Sequence, residues 1–342
     1  MNKLKIFPIC LGISLYVLVI TCIVSCQPHP VPEGITVTQL EHPSLQAHLI
    51  SKLGNQIRPW VVLVSGSSGG YFPDHHVYGL VEQGYDILSL ACFGVEGTPD
   101  KLVEIPLEYV QSAIDYARSE LGGDSRGVVL MGPSRGGELA LLYASHFHDV
   151  DGVIAYSPGT LVIPETIHVW DAADLRSSWS LGGDPVPFAP MPLMPEEPGW
   201  VDFHGMYSSL WADSAVVAQA RIPVEQITCP VLLLAGESDG VWPAAAMARQ
   251  VQRDIKAARP AAKVIVHTYP EAGHQFLFFG EELPRAATQQ TFKRKSFKNY
   301  RVAYGGTEEG IHHAMRQSQQ AVLDFLAVIP KPPGGTALPA GS

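Results

Sequence analysis

Three serines in this chain sit in the pattern Gly-x-Ser-x-Gly: Ser68 within Gly66–Gly70, Ser134 within Gly132–Gly136 and Ser238 within Gly236–Gly240. The pattern suits a serine nucleophile, because the glycines let the backbone turn sharply and leave the hydroxyl exposed. A serine hydroxyl is a weak nucleophile alone. It needs an imidazole to take its proton and a carboxylate to orient that imidazole. His274 and Asp239 are the candidates. Each feature alone is ordinary: the serine pattern can be a plain turn, an aspartate a helix cap, a histidine a surface residue. The choice among the serines therefore depends on the elements around them.

Val128–Gly132 reads as a buried strand and Gly136–Phe147 as a helix, so Ser134 falls on a sharp strand-to-helix turn. Asp239 follows the apolar run Val231–Ala235, and His274 follows the run Val264–Tyr269. Serine, acid and histidine thus come in that order, each at a strand end. Ser238 also follows a strand but fails on order. Beyond the adjacent Asp239, the acids between it and His274 are Asp254, inside a helix, and Glu271. Ser68 follows the strand Trp60–Ser65, but Tyr71-Phe72-Pro73 interrupts any immediate helix. That loop fits another task. A backbone N–H near Ser67 or Ser68 and the N–H of Arg135 are expected to form the oxyanion hole.

The remaining apolar runs complete the frame. Ile35–Lys52 predicts an opening hairpin, Tyr85–Ala91 and Val153–Tyr156 strands, and His75–Gln83, Leu107–Leu121, Ala244–Ala258 and Gly310–Leu326 helices. Fully apolar strands separated by helices predict an α/β protein with a mostly parallel, doubly wound sheet covered on both faces. The catalytic domain is expected over residues 35–328. Residues 159–223 break the rhythm. They are rich in proline and hold Trp170, Trp179, Trp200 and Trp211, the composition of a lid insertion. Its tryptophans either line an apolar acyl pocket or hold the insertion together.

The chain has 342 residues, 46% of them apolar, and a net charge of −10. An acidic, charge-poor chain is a poor nucleic-acid binder. Lys3 and Lys5 precede an apolar run from Ile6 to Val24 that ends in Ile23-Val24-Ser25-Cys26. This start reads as a secretory signal over residues 1–25 with Cys26 as a lipidated first residue, followed by a Pro-rich tether over 26–34. An uncleaved membrane anchor is the alternative. Losing Lys3 and Lys5 and no acid would take the net charge from −10 to −12. The expected location is a bacterial cell envelope, lipid-anchored and facing away from the cytoplasm. Cys92 and Cys229 then read as small buried hydrophobes. Residues 329–342 read as a disordered tail. Lys293–Arg301 reads as a solvated basic loop rather than a phosphate-binding one. Asp74-His75-His76, His146 with His148, and His312-His313 lack a third ligand at metal spacing, so no metal is expected. The chemistry requires no cofactor.

From about Trp60 to Leu326 the chain resembles the catalytic domain shared by acyl-CoA thioesterases and bile acid-CoA:amino acid N-acyltransferase. The resemblance rests on Ser65–Gly70, Gly132–Leu139 (GPSRGGEL), Ile222–Asp239, Pro270–His274 (PEAGH), and Gly305-Gly306 followed by His313-Ala314-Met315. It implies an α/β-hydrolase fold, with nucleophile, acid and base at Ser134, Asp239 and His274. Two departures stand out. Only about thirty residues separate Cys26 from the first core strand, so the β-sandwich domain that precedes the catalytic domain in eukaryotic members is not expected. The acyltransferase branch uses a cysteine nucleophile, and the serine here implies hydrolysis.

The sequence thus predicts a serine-dependent acyl ester or thioester hydrolase, with acyl-CoA among its possible substrates. Acyl transfer to an amino acid and non-catalytic lipid binding are the alternatives. A cytoplasmic acyl-CoA and an outward-facing lipoprotein conflict, so an ordinary ester or another thioester also fits.

Overall fold

The computed structural model describes residues 29–54, 58–165, 172–193, 195, 197, 199–293 and 299–329. The chain divides between Pro30 and Val31. Only His29 and Pro30 of the first unit are described, and every described helix and strand belongs to the second. The expected signal, Cys26, Trp170 and the tail beyond Ile329 lie outside the described residues.

Eight strands form the central sheet. They are β1 (Ile35–Gln39), β2 (Ala47–Lys52), β3 (Trp60–Val64), β4 (Ile87–Leu90), β5 (Val128–Pro133), β6 (Gly152–Tyr156), β7 (Val231–Gly236) and β8 (Val264–Tyr269). Their spatial order is β1-β2-β4-β3-β5-β6-β7-β8. The β1–β2 pair is the expected opening hairpin, and β2 is also antiparallel to β4. All neighbours from β4 onward are parallel. This is the α/β-hydrolase fold.

Alternate side chains of each central strand enter separate cores. Val62, Val64, Leu130 and Leu233 pack on one face with helices α2 (Leu107–Ser119), α3 (Arg135–His146) and α4 (Ala244–Ala258). Val61, Leu63, Met131 and Leu234 pack on the other with α1 (Tyr78–Glu82) and α5 (Glu308–Ala327). A strand buried on both faces must be apolar at every position, which is why the runs lack alternation. α5 begins two residues earlier than its apolar pattern, because Thr307 caps it by accepting the Gly310 N–H at 3.0 Å. The helix expected over His75–Gln83 is instead a 3₁₀ turn, Asp74–His76, followed by the short α1. Val77 at φ −120° separates them, outside helical geometry.

The 159–223 insertion leaves and rejoins the sheet through a narrow neck. Ile222 N–H donates to Thr160 O at 2.9 Å and Val162 N–H to Ala220 O at 2.8 Å. Two short helices, Phe203–Ala212 and Ser214–Ala220, are capped by the Asp202 and Asp213 side chains. A strand at Trp179–Leu181 pairs with Ile105–Pro106. Gln289–Lys293 and Asn299–Ala303 pair as antiparallel strands that also join Trp200–Val201. The basic stretch is therefore partly strand, and its residues 294–298 lie outside the described ones.

Candidate active site

Because β3 and β5 to β8 run the same way, the loops after them meet at one edge of the sheet. Ser134 follows β5 and has φ +56° and ψ −121°, a conformation that L-residues avoid. Two bonds hold it there: its N–H donates to Tyr156 O at 2.9 Å, and its own carbonyl accepts the Glu138 N–H at 3.0 Å. Gly136 makes the turn possible, since a Cβ at that position would lie 2.7 Å from Ser65 O. Pro133 sits at the strand end, a position where a missing N–H is tolerated.

His274 Nε2 lies 2.9 Å from Ser134 Oγ, and His274 Nδ1 lies 2.7 Å from Asp239 Oδ2. Both Asp239 and His274 are buried. The other aspartate oxygen, Oδ1, accepts the N–H groups of Val241 at 2.7 Å and Trp242 at 3.2 Å. The carboxylate thus has fixed partners besides the imidazole, which sets its direction. The histidine backbone is equally constrained. Its N–H donates to Tyr304 O at 2.8 Å. Its carbonyl accepts the Ser157 hydroxyl at 2.7 Å.

Ser67 and Ser68 are exposed in a turn closed by the Gly69 N–H donating to Gly66 O at 3.3 Å. The turn lies beside the nucleophile candidate: a Cβ built on Gly66 would stand 3.9 Å from Ser134 Oγ. Arg135 opens α3, where backbone N–H groups have no partner inside the helix. Ser238 lies in the loop that carries Asp239, its N–H donating to Ala272 O at 3.0 Å.

The chain matches the model of the family described as BAAT / Acyl-CoA thioester hydrolase C terminal over residues 105–327. It belongs to that family. Across 216 residues it is 25% identical to rat (Rattus norvegicus) mitochondrial acyl-coenzyme A thioesterase 2, covering 63% of this chain and 44% of the relative. It is 23% identical over 242 residues to the acyl-coenzyme A amino acid N-acyltransferase 2 of Mus musculus, covering 70% of this chain and 54% of that one. The chain therefore spans about half the length of the curated relatives it matches. The uncomplexed acylaminoacyl peptidase of Pyrococcus horikoshii shares the fold, with a TM-score of 0.53 at 13% identity over 89% of this chain and 43% of that one.

Within this family domain, several side chains around the site had no sequence signal of their own. Trp242 stands three residues after Asp239, but one tryptophan among six is not conspicuous. Glu138 fell within the Gly132–Leu139 stretch and is the one acid in α3, but nothing in the sequence pointed to a role for it. Its carboxylate is fully buried and accepts the Trp179 indole N–H at 2.7 Å. Burial pushes its pKa up, opposed by Arg135, by that indole and by the Ile163 amide. Trp179 is therefore framework for the insertion. Trp200 is exposed, with the Arg301 guanidinium over its ring. A groove of about 700 Å³ in the insertion is lined by Pro192, Val201, Met206 and Leu210 among others, and by no tryptophan among the described residues.

Cys92 is buried, which pushes its thiol up to about 12, and neither Cys92 nor the partly buried Cys229 is in a disulfide. His312 donates to Pro284 O at 2.9 Å, and the His75 and His76 rings meet edge to face. Among the described residues no three His, Cys, Asp or Glu side chains are grouped to hold a metal ion.

Proposed function

We propose that this chain is a serine-dependent hydrolase of acyl esters or thioesters. The observation that carries the reading is the line from Ser134 Oγ to His274 Nε2 at 2.9 Å and from His274 Nδ1 to Asp239 Oδ2 at 2.7 Å. His274 takes the Ser134 proton as Oγ attacks the acyl carbonyl, and Asp239 stabilises the imidazolium that results. The oxyanion rests against the N–H of Arg135 and one near Ser67 or Ser68. The leaving thiol or alcohol departs with the proton from His274. His274 then activates a water that attacks the acyl-serine, releasing the acid.

The named relatives support an acyl thioester as substrate, acyl-CoA being the thioester their names carry. A panel of p-nitrophenyl esters and acyl-CoAs of graded chain length tests this. Turnover should require Ser134 and favour one chain-length range; no turnover on either class would overturn it. Ser134 favours hydrolysis over the transfer named for the acyltransferase relative, because an acyl-serine reacts less readily with an amine. Adding glycine or taurine should leave free acid as the product; the corresponding amide would mean transfer.

The basic, apolar start and Cys26 support a lipid anchor in a bacterial envelope. Metabolic labelling with a fatty-acid probe should mark the wild-type chain and not Cys26→Ser. Equal labelling of both would exclude Cys26 as the anchor.

A further inference from the structure

The residue after Ser134 has its side chain buried. Arg135 Nη1 lies 2.7 Å from Glu138 Oε2, with 4% and 0% of the two side chains exposed. Arg135 Nη2 donates to Ile163 O and to Ser178 Oγ, each at 2.5 Å. Glu138 Oε1 accepts the Trp179 indole N–H at 2.7 Å and the Ile163 N–H at 3.2 Å. The Arg135 guanidinium also lies 5.8 Å from the Trp179 ring centre.

The partners come from two separate parts of the insertion. Ile163 lies in its outgoing segment at the neck, Ser178 just before the strand that pairs with Ile105–Pro106, and Trp179 at the start of that strand. Arg135 and Glu138 sit one turn apart at the start of α3. Removing two charges from water is costly, and a well-packed apolar pair would often be as stable. A buried pair at this place therefore does more for position than for stability. The hydrogen bonds that the pair makes to Ile163, Ser178 and Trp179 are directional, and all converge on the first turn of the helix that follows the proposed nucleophile.

We propose that Arg135 and Glu138 are positioning residues: their ion pair clamps the base of the 159–223 insertion to the first turn of α3. The clamp holds the Arg135 N–H and the Ser134 hydroxyl in the geometry for attack on an acyl carbonyl. The clamp rests on the serine-hydrolase reading above. It also links how the insertion is seated to how fast Ser134 reacts.

The test measures the rate of fluorophosphonate labelling at Ser134, together with kcat and KM on an acyl ester. It compares wild type, Trp179→Phe, Arg135→Lys and the apolar double variant Arg135→Met/Glu138→Leu. Trp179→Phe keeps the ring and removes only the indole donor to Glu138. The clamp predicts that the double variant stays folded yet labels about tenfold to a hundredfold more slowly, with kcat falling and KM little changed. Trp179→Phe should be slowed about threefold and Arg135→Lys should keep an intermediate rate. A pair that only stabilises the fold would change Tm and leave the rate per folded molecule untouched, and that result would overturn the proposal. If the double variant does not fold, wild-type labelling rates in both Trp179→Phe and Arg135→Lys would overturn it equally. Absence of labelling in wild type would instead count against the serine-hydrolase reading.

Discussion

The indole of Trp242 stands edge-on to the His274 imidazole, with ring centres 4.8 Å apart and planes at 89°. The same residue gives its backbone N–H to Asp239 Oδ1 and its indole N–H to Ser157 O at 3.2 Å. Tyr207 of the insertion also packs against the Trp242 ring, 5.1 Å from centre to centre. Trp242 therefore joins acid, base and insertion. Trp242→Phe keeps an aromatic edge and loses one buried bond, so kcat should fall less than about tenfold, near 1 kcal/mol. Trp242→Ala leaves a cavity and should cost about 3–5 kcal/mol of stability in denaturant unfolding.

Asp239→Asn should keep an acceptor for the Val241 and Trp242 amides while losing the charge that faces His274. The variant is expected to fold with near wild-type Tm. Its kcat should fall by about 10⁴, the size of effect known when such an aspartate is neutralised. A loss under tenfold would mean that Asp239 is not the orienting acid.

Gly305 has φ +74°, and a Cβ there would lie 1.9 Å from Ser238 O. Both the conformation and the space exclude a side chain, because this loop packs directly on the one that carries Asp239. Gly305→Ala should cost about 3 kcal/mol or more, read as a lower urea midpoint. An unchanged midpoint would refute this close packing.

Arg221, in the neck of the insertion, forms a two-pronged bond to Glu225, at 2.5 and 2.8 Å. That bond holds the Glu225 carboxyl below its usual range. A depressed folded-state pKa adds stability above the ordinary glutamate pKa and loses it as the pH falls through the folded value. The pair is partly exposed and screened by solvent, so Glu225→Gln should cost only about 0.5 kcal/mol at pH 7. The gap between wild type and variant should close below about pH 4. A gap that persists unchanged at low pH would show that ionisation of Glu225 is not its source.

The parallel sheet and the placement of Ser134, Asp239 and His274 could be read in the sequence because they depend on local pattern and chain order. An apolar run marks a strand buried on both faces, and a polar residue just past it marks the sheet edge. The Arg135–Glu138 pair, Ser157 and Trp242 could not be read this way. The pair itself is one helical turn apart, but the roles come from partners distant in sequence, Ile163 and Trp179 for the pair and the His274 carbonyl for Ser157, which no spacing encodes. The strands Gln289–Lys293 and Asn299–Ala303 were hidden for another reason: Lys293, Arg301 and the basic residues between them gave the stretch the composition of a solvated loop.

The central claim is that Ser134 is the nucleophile and His274 its base. The most direct measurement is the site of covalent labelling by a fluorophosphonate, located by peptide mass spectrometry and followed alongside ester and thioester hydrolysis. The label should fall on Ser134 alone. Labelling and turnover should both vanish in a folded Ser134→Ala and slow severely in His274→Ala. Label on Ser68 or Ser238, or hydrolysis that survives Ser134→Ala, would contradict it.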